Sequence, residues 1–144
     1  MKALPFYVVA GVVLASPGWC QQEVPTPSGA QEQIQVRFSR DVQPILDANC
    51  VQCHALEVPQ AQLVLEEGES YEMLVGQPST QSPLMRVKPG APEESYLLLK
   101  LRGMHLEAGG TGLGMPLTEG NFAPLPEQPL ATIEGWIGAG AKEN

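Results

Sequence analysis

Cys50-Val51-Gln52-Cys53-His54 sets two thiols three positions apart, with an imidazole directly after the second. That order is the attachment signature of c-type haem. Each thiol can add across one haem vinyl group to give a thioether, and a tight helical turn sets both sulfurs at the two vinyls. The same turn carries His54 under the iron as the proximal ligand. Zinc is the competing chemistry for Cys50, Cys53 and His54, but structural zinc takes four ligands, commonly as two separated pairs. Only Cys20 and His105 are left to complete such a set.

The far side of an iron held this way needs a second ligand or a vacancy. The soft or imidazole donors are Met73, Met85, Met104, His105 and Met115. Met115-Pro116 stands out, because it closes the glycine-rich stretch MHLEAGGTGLGM (104–115) and the proline stiffens the backbone beside it. Met104 and His105 lie in the same stretch and are rivals. His105 would give bis-His ligation and a lower potential, whereas methionine raises it. Met73 and Met85 read as core filler, the commoner use of methionine. Arg86 and Lys88, next to Pro89-Gly90, are candidates to pair with a haem propionate, against the plainer reading of solvated surface cations. The glycine-rich stretch lacks the Gly-x-Gly-x-x-Gly order and follows no expected strand, so no dinucleotide site is read there.

Several elements must position these side chains. Ser39 is placed to cap a helix starting at Arg40-Asp41, with Pro44 inside its first turn. Val42, Ile45 and Leu46 then share one face, and the helix runs into Cys50. A short extended apolar stretch follows at 62–65. Ser70 is placed to cap a short helix through Tyr71, Met73 and Leu74, which Gly76 ends. Pro92-Glu93-Glu94 starts another that continues from Tyr96 to Leu101. A last helix over 126–139 puts Leu130, Ile133, Trp136 and Ile137 on one face, with Gly138 and Gly140 at its end. Trp136 is expected to fill the interface between the first and last helices. These elements predict a small all-α domain, helices wrapped around one haem with little or no sheet.

Haem c is attached outside the cytoplasm, so the chain should carry an export signal. Residues 1–20 supply one: a basic start at Lys2, an apolar run to Ala15, and Ser16, Pro17 and Gly18 leading to a cleavage zone after Gly18 or Cys20. Trp19 and Pro17 sit where a bacterial lipoprotein has a small residue and leucine, so lipid anchoring at Cys20 is the lesser reading. Residues 21–35, rich in Gln, Pro and Ser, read as a flexible linker that leaves room for a membrane tether through the N-terminus. Residues 36–144 are the haem domain. The net charge of −8 argues against nucleic acid or an anionic membrane surface as partner, and allows docking to a basic protein surface.

The string FSRDVQPILDANCVQCHAL resembles the start of cytochrome c domains abundant in Planctomycetes and related bacteria. LVGQPS, RVKPGAPEESYLLLKL, GMP and IEGWIGAGA resemble later elements of the same family, so the likeness covers 38–141. The resemblance implies a class I-like monohaem fold, with covalent haem c on Cys50 and Cys53, His54 proximal and Met115 distal. Class I proteins often orient the proximal imidazole through a proline carbonyl. Pro59 lies closer to the histidine than that pattern has it. The expected function is periplasmic electron transfer between redox partner proteins, with no catalytic residues and no small-molecule substrate. The alternative is a haem sensor or peroxidase-like module with an open or bis-His distal site.

Overall fold

The structure is a computed structural model and describes residues 35–144. The expected export signal, Cys20 and nearly all of the linker lie outside the described residues. One π-helical turn (Phe38–Val42) leads into α1 (Gln43–Asn49), with Pro44 in the first turn of α1. Ser39 caps neither. Its hydroxyl and amide both bond to the Asn144 carbonyl, at 2.7 and 3.1 Å. The orphan donor before the helix is satisfied by Asp41, whose carboxylate accepts from the Arg37 amide at 2.7 Å. Val42 and Leu46 are fully buried, and Ile45 packs beside them.

Helix α2 spans Ser70–Leu74, α3 Tyr96–Arg102 and α4 Glu127–Gly138. The hydrophobic face of α4 buries Ile133, Trp136 and Ile137. Trp136 packs at a tilt against Phe38, ring centres 5.0 Å apart, and sends its indole N–H to the Lys142 carbonyl, so it fills the interface between the first and last helical elements. The expected continuation from Pro92 into α3 is broken. Pro92–Glu94 is a single 3₁₀ turn, and Ser95 is extended. Ser95 is fully buried; its hydroxyl accepts from the Lys88 amide and donates to the Ala91 carbonyl, both at 2.9 Å. These local bonds to the backbone outcompete one more turn of helix.

The all-α expectation is corrected by two antiparallel hairpins. One pairs β1 (His54–Ala55) with β2 (Val58–Pro59), the other β3 (Leu117–Thr118) with β4 (Asn121–Phe122). Isolated bridges join Val75 to Val87, Pro78 to Met85 and Met85 to Ser95. The domain is therefore mixed, short helices joined by minimal sheets. The physical reason is the density of helix breakers: with 14 prolines and 15 glycines, most helices stop after one or two turns. The backbone groups so released must pair somewhere, and they pair across short hairpins. At Thr118-Glu119-Gly120-Asn121 the two central residues both have positive φ, 52° and 80°, the conformation of a tight two-residue hairpin turn.

Candidate functional site

Helix α1 delivers the thiol-bearing turn directly. The Cys50 amide bonds to the Leu46 carbonyl, closing the helix. The Cys53 and His54 amides then return to the Cys50 carbonyl, at 3.1 and 3.0 Å. Burial, then the charge of Asp47 and the neighbouring Cys53, push the Cys50 thiol up to about 11. Such a thiol is a weak nucleophile at neutral pH, unlike the depressed thiols of redox-active Cys-x-x-Cys sites. Among the described residues no three His, Cys, Asp or Glu side chains gather as a metal-binding set.

The ring of His54 is held by two backbone carbonyls. Its Nδ1 lies 3.1 Å from the Gln60 oxygen and 3.2 Å from that of Leu63. Carbonyls only accept, so Nδ1 is the donor, and in the neutral ring this leaves the Nε2 lone pair free. This is the arrangement in which a ligating histidine is oriented and its tautomer set. Gln60 and Leu63 do this, not Pro59. The 3₁₀ turn at Gln60–Gln62 brings both carbonyls into place, with Ala61 and Gln62 at positive φ.

Cys50, Cys53, His54, Arg86 and Met115 all line one cleft of about 450 Å³. That volume lies within the roughly 300–1,000 Å³ of ordinary ligand and cofactor sites. Six leucines (63, 65, 74, 97, 101 and 117) form its apolar walls. Its charged lining is Arg86 and Lys100, with no carboxylate, in a chain of net charge −8. Haem c fits this set. The thiols offer two attachment points, the leucines suit an apolar macrocycle, the Arg86 guanidinium suits its carboxylates, and an imidazole nitrogen and a thioether are present as iron donors.

The other candidates fall elsewhere. Lys88 does not line the cleft and pairs at the surface with Glu94 at 2.6 Å. Met85 and Met104 are more than two-fifths exposed and do not line the cleft. Met73 lies beside the Arg86 guanidinium, which donates to its carbonyl at 2.8 Å. Burial draws the Arg86 pKa down from the ordinary arginine value. His105 is buried and absent from the cleft lining; its Nε2 lies 2.9 Å from the Gly112 carbonyl and its Nδ1 has no partner.

Lys100 and Tyr96 are the residues that sequence reasoning passed over. Both line the cleft and both hold the glycine-rich loop. The Tyr96 hydroxyl donates to the Thr111 carbonyl at 3.1 Å and accepts from its amide at 3.3 Å. The Lys100 ammonium donates to the carbonyls of Thr111 and Leu113, at 2.7 and 2.8 Å. One signal was present: a lysine inside the apolar run Tyr96-Leu97-Leu98-Leu99-Lys100-Leu101 is out of place unless it has a buried task.

No protein-family model matches the chain, and no curated protein matches it. Among solved structures, the hydrazine synthase of Kuenenia stuttgartiensis resembles it over 75% of this chain, at 25% identity and a TM-score of 0.52. The match takes in 16% of that chain, so the present chain corresponds to a small part of the length of the enzyme. It is a distant structural neighbour.

Proposed function

We propose that residues 36–144 form a monohaem c-type cytochrome domain that moves electrons between redox partner proteins in the periplasm. The observation that carries this reading is the meeting of Cys50, Cys53 and His54 with the sequence-distant Met115 at one leucine-walled cleft. Cys50 and Cys53 would hold haem c through thioethers, His54 Nε2 and Met115 Sδ would supply donors to its iron, and Arg86 would pair with a propionate. When bound, the haem would supply a one-electron ferric/ferrous couple, and ligation by a methionine and a histidine would place it toward higher potential.

The chain's own part is to hold and insulate. The Gln60 and Leu63 carbonyls keep the His54 proton on Nδ1 and fix the ring's orientation. The leucine walls keep water from the macrocycle, which limits reorganisation when the charge changes. Arg86 and Lys100 offset negative charge at the cleft. No acid, base or nucleophile is required, because an electron leaves without bond making. The hydrazine synthase likeness supports a domain of this fold as a small part of a longer protein.

The test is spectroscopic. Haem that survives acid-acetone extraction, with a pyridine haemochrome spectrum of thioether-linked haem, is expected of the exported protein. Slow or absent carbon monoxide binding to the reduced form is expected if both axial positions are filled. Extractable haem, or none, would sink the reading; fast and complete carbon monoxide binding at neutral pH would replace the carrier by an open-site sensor or peroxidase-like module.

A further inference from the structure

Lys100 has a task that electron transfer alone does not assign to it. Among the described residues it is the one Lys, Arg, Asp or Glu side chain that is buried, at 7% exposure. No carboxylate among the described ion pairs neutralises it. A buried ammonium is costly unless its hydrogens find acceptors. Here two acceptors are loop carbonyls, Thr111 and Leu113, and the ammonium also sits 5.3 Å from the centre of the Tyr96 ring.

The main chain of the same residue completes the hold. The Lys100 carbonyl accepts from the Met115 amide at 2.9 Å. One residue therefore grips the loop at three places: 111 and 113 by its side chain, and 115 by its backbone. Lys100 can do so because α3 is anchored, with Leu98 and Leu101 buried on either side of it. Thr111, Gly112 and Leu113 are all exposed, so polar bonds hold the loop here: besides those of Lys100, the buried His105 ring bonds to the Gly112 carbonyl and the Thr111 amide to the Gln81 carbonyl. Gly112 has φ +75°, and a Cβ there would lie 3.3 Å from the ammonium, so the close approach suits glycine.

We propose that Lys100 is the positioning residue for Met115: by holding the loop carbonyls, it sets where the thioether sits over the cleft. This rests on the reading that Met115 Sδ binds the iron. Charge-assisted bonds to carbonyls are stronger than neutral ones, so losing the ammonium loosens the loop more than losing a hydroxyl such as that of Tyr96. Met115 would then spend part of its time away from the iron.

The test uses the full holoprotein and reads the far-red methionine–iron absorbance of the ferric form, with carbon monoxide binding to the ferrous form. Lys100→Met keeps the length and removes the charge and its donors. It is expected to lose more than half of the far-red band and to bind carbon monoxide faster, while haem stays covalently attached. Lys100→Arg, which keeps a cation and its donors, is expected to recover part of the band. If Lys100→Met lowers thermal stability but leaves the band and carbon monoxide binding unchanged, the lysine is structural and the inference is overturned. Should Lys100→Met fail to accumulate, Lys100→Gln gives the same reading: a weakened band supports the inference, an unchanged band overturns it. The underlying assignment is separated by Met115→Ala. If the wild-type protein lacks the band, or Met115→Ala keeps it, Met115 is not the ligand and both statements fall.

Discussion

Residues 50–63 and the loop at 104–115 both reach the cleft, yet they are held in different ways. In the first, the Cys53 and His54 amides return to Cys50, the Gln60 amide bonds to Cys53, and the His54 ring is oriented by carbonyls six and nine residues on. Nearly every partner lies within one or two turns of chain. In the second, one hold is internal, the His105 ring on the Gly112 carbonyl, and the others come from elsewhere: the Lys100 and Tyr96 side chains of α3, the Gln81 backbone carbonyl on the Thr111 amide, and the Phe122 ring against Gly114. A site can thus have one wall that folds as a local unit and another that exists only once the domain has closed. The local wall suits attachment chemistry, which must present two thiols and an imidazole in fixed order. The assembled wall suits a ligand whose distance from the iron is set by the rest of the fold.

The largest effect expected breaks the local wall. Replacing both Cys50 and Cys53 by alanine should abolish covalent haem entirely, read as loss of haem stain on a denaturing gel, whatever the state of the loop. Next comes the assembled wall. Met115→Ala should leave covalent haem in place, abolish the far-red band, and lower the midpoint potential by a measurable part of the roughly 0.8 V span that axial ligands control. If covalent haem were lost as well, the two walls would not be separable.

Smaller effects sharpen the contrast. A Cβ at Gly110 would lie 2.5 Å from the Tyr96 ring and 2.6 Å from the His105 carbonyl oxygen. Gly110→Ala should therefore cost about 1–3 kcal/mol in denaturant unfolding, the usual range for overpacking, and weaken the far-red band without touching attachment. Ser95→Ala should cost a similar or smaller amount, about 1–3 kcal/mol, because the Lys88 amide loses its buried acceptor. The least effect is at the start of the first helical segment. The Arg40 side chain, then the Arg37 amide, lower Asp41 to about 2 from an ordinary 3.8. A lowered folded-state value means the stabilisation is present above pH 4 and is lost as pH falls through about 2. Asp41→Asn should lower the melting temperature slightly at neutral pH and make no difference below pH 2; an equal shift at both would remove the ion pair from the account.

How much of this was legible follows the same division. Val42 and Leu46 in the first helical segment, and Ile133, Trp136 and Ile137 on α4, are buried as their helical spacing predicts, because periodicity reports a face along a continuous helical stretch. The break at Ser95 was not legible. Glu93 and Glu94 after Pro92 are good helix starters, and only the buried bonds of the Ser95 hydroxyl to the Lys88 amide and the Ala91 carbonyl stop the turn. The hairpin at Glu119-Gly120 was hidden for a different reason: its strands are two residues long, too short for an alternation pattern to register.

By itself the sequence determined the thiol–thiol–imidazole order, the helix that delivers it, and a short set of sulfur and imidazole donors for the opposite side. All of these depend on residues a few positions apart, where backbone geometry leaves little choice. Only the tertiary structure decided that Gln60 and Leu63 rather than Pro59 orient His54, that Met115 rather than Met104 or His105 lines the cleft, and that Lys100 is spent on the loop. Those outcomes turn on how buried polar groups find partners across the whole domain. An ammonium or an imidazole sealed from water must bond to whatever carbonyl the fold brings near, and no local pattern records which one that will be.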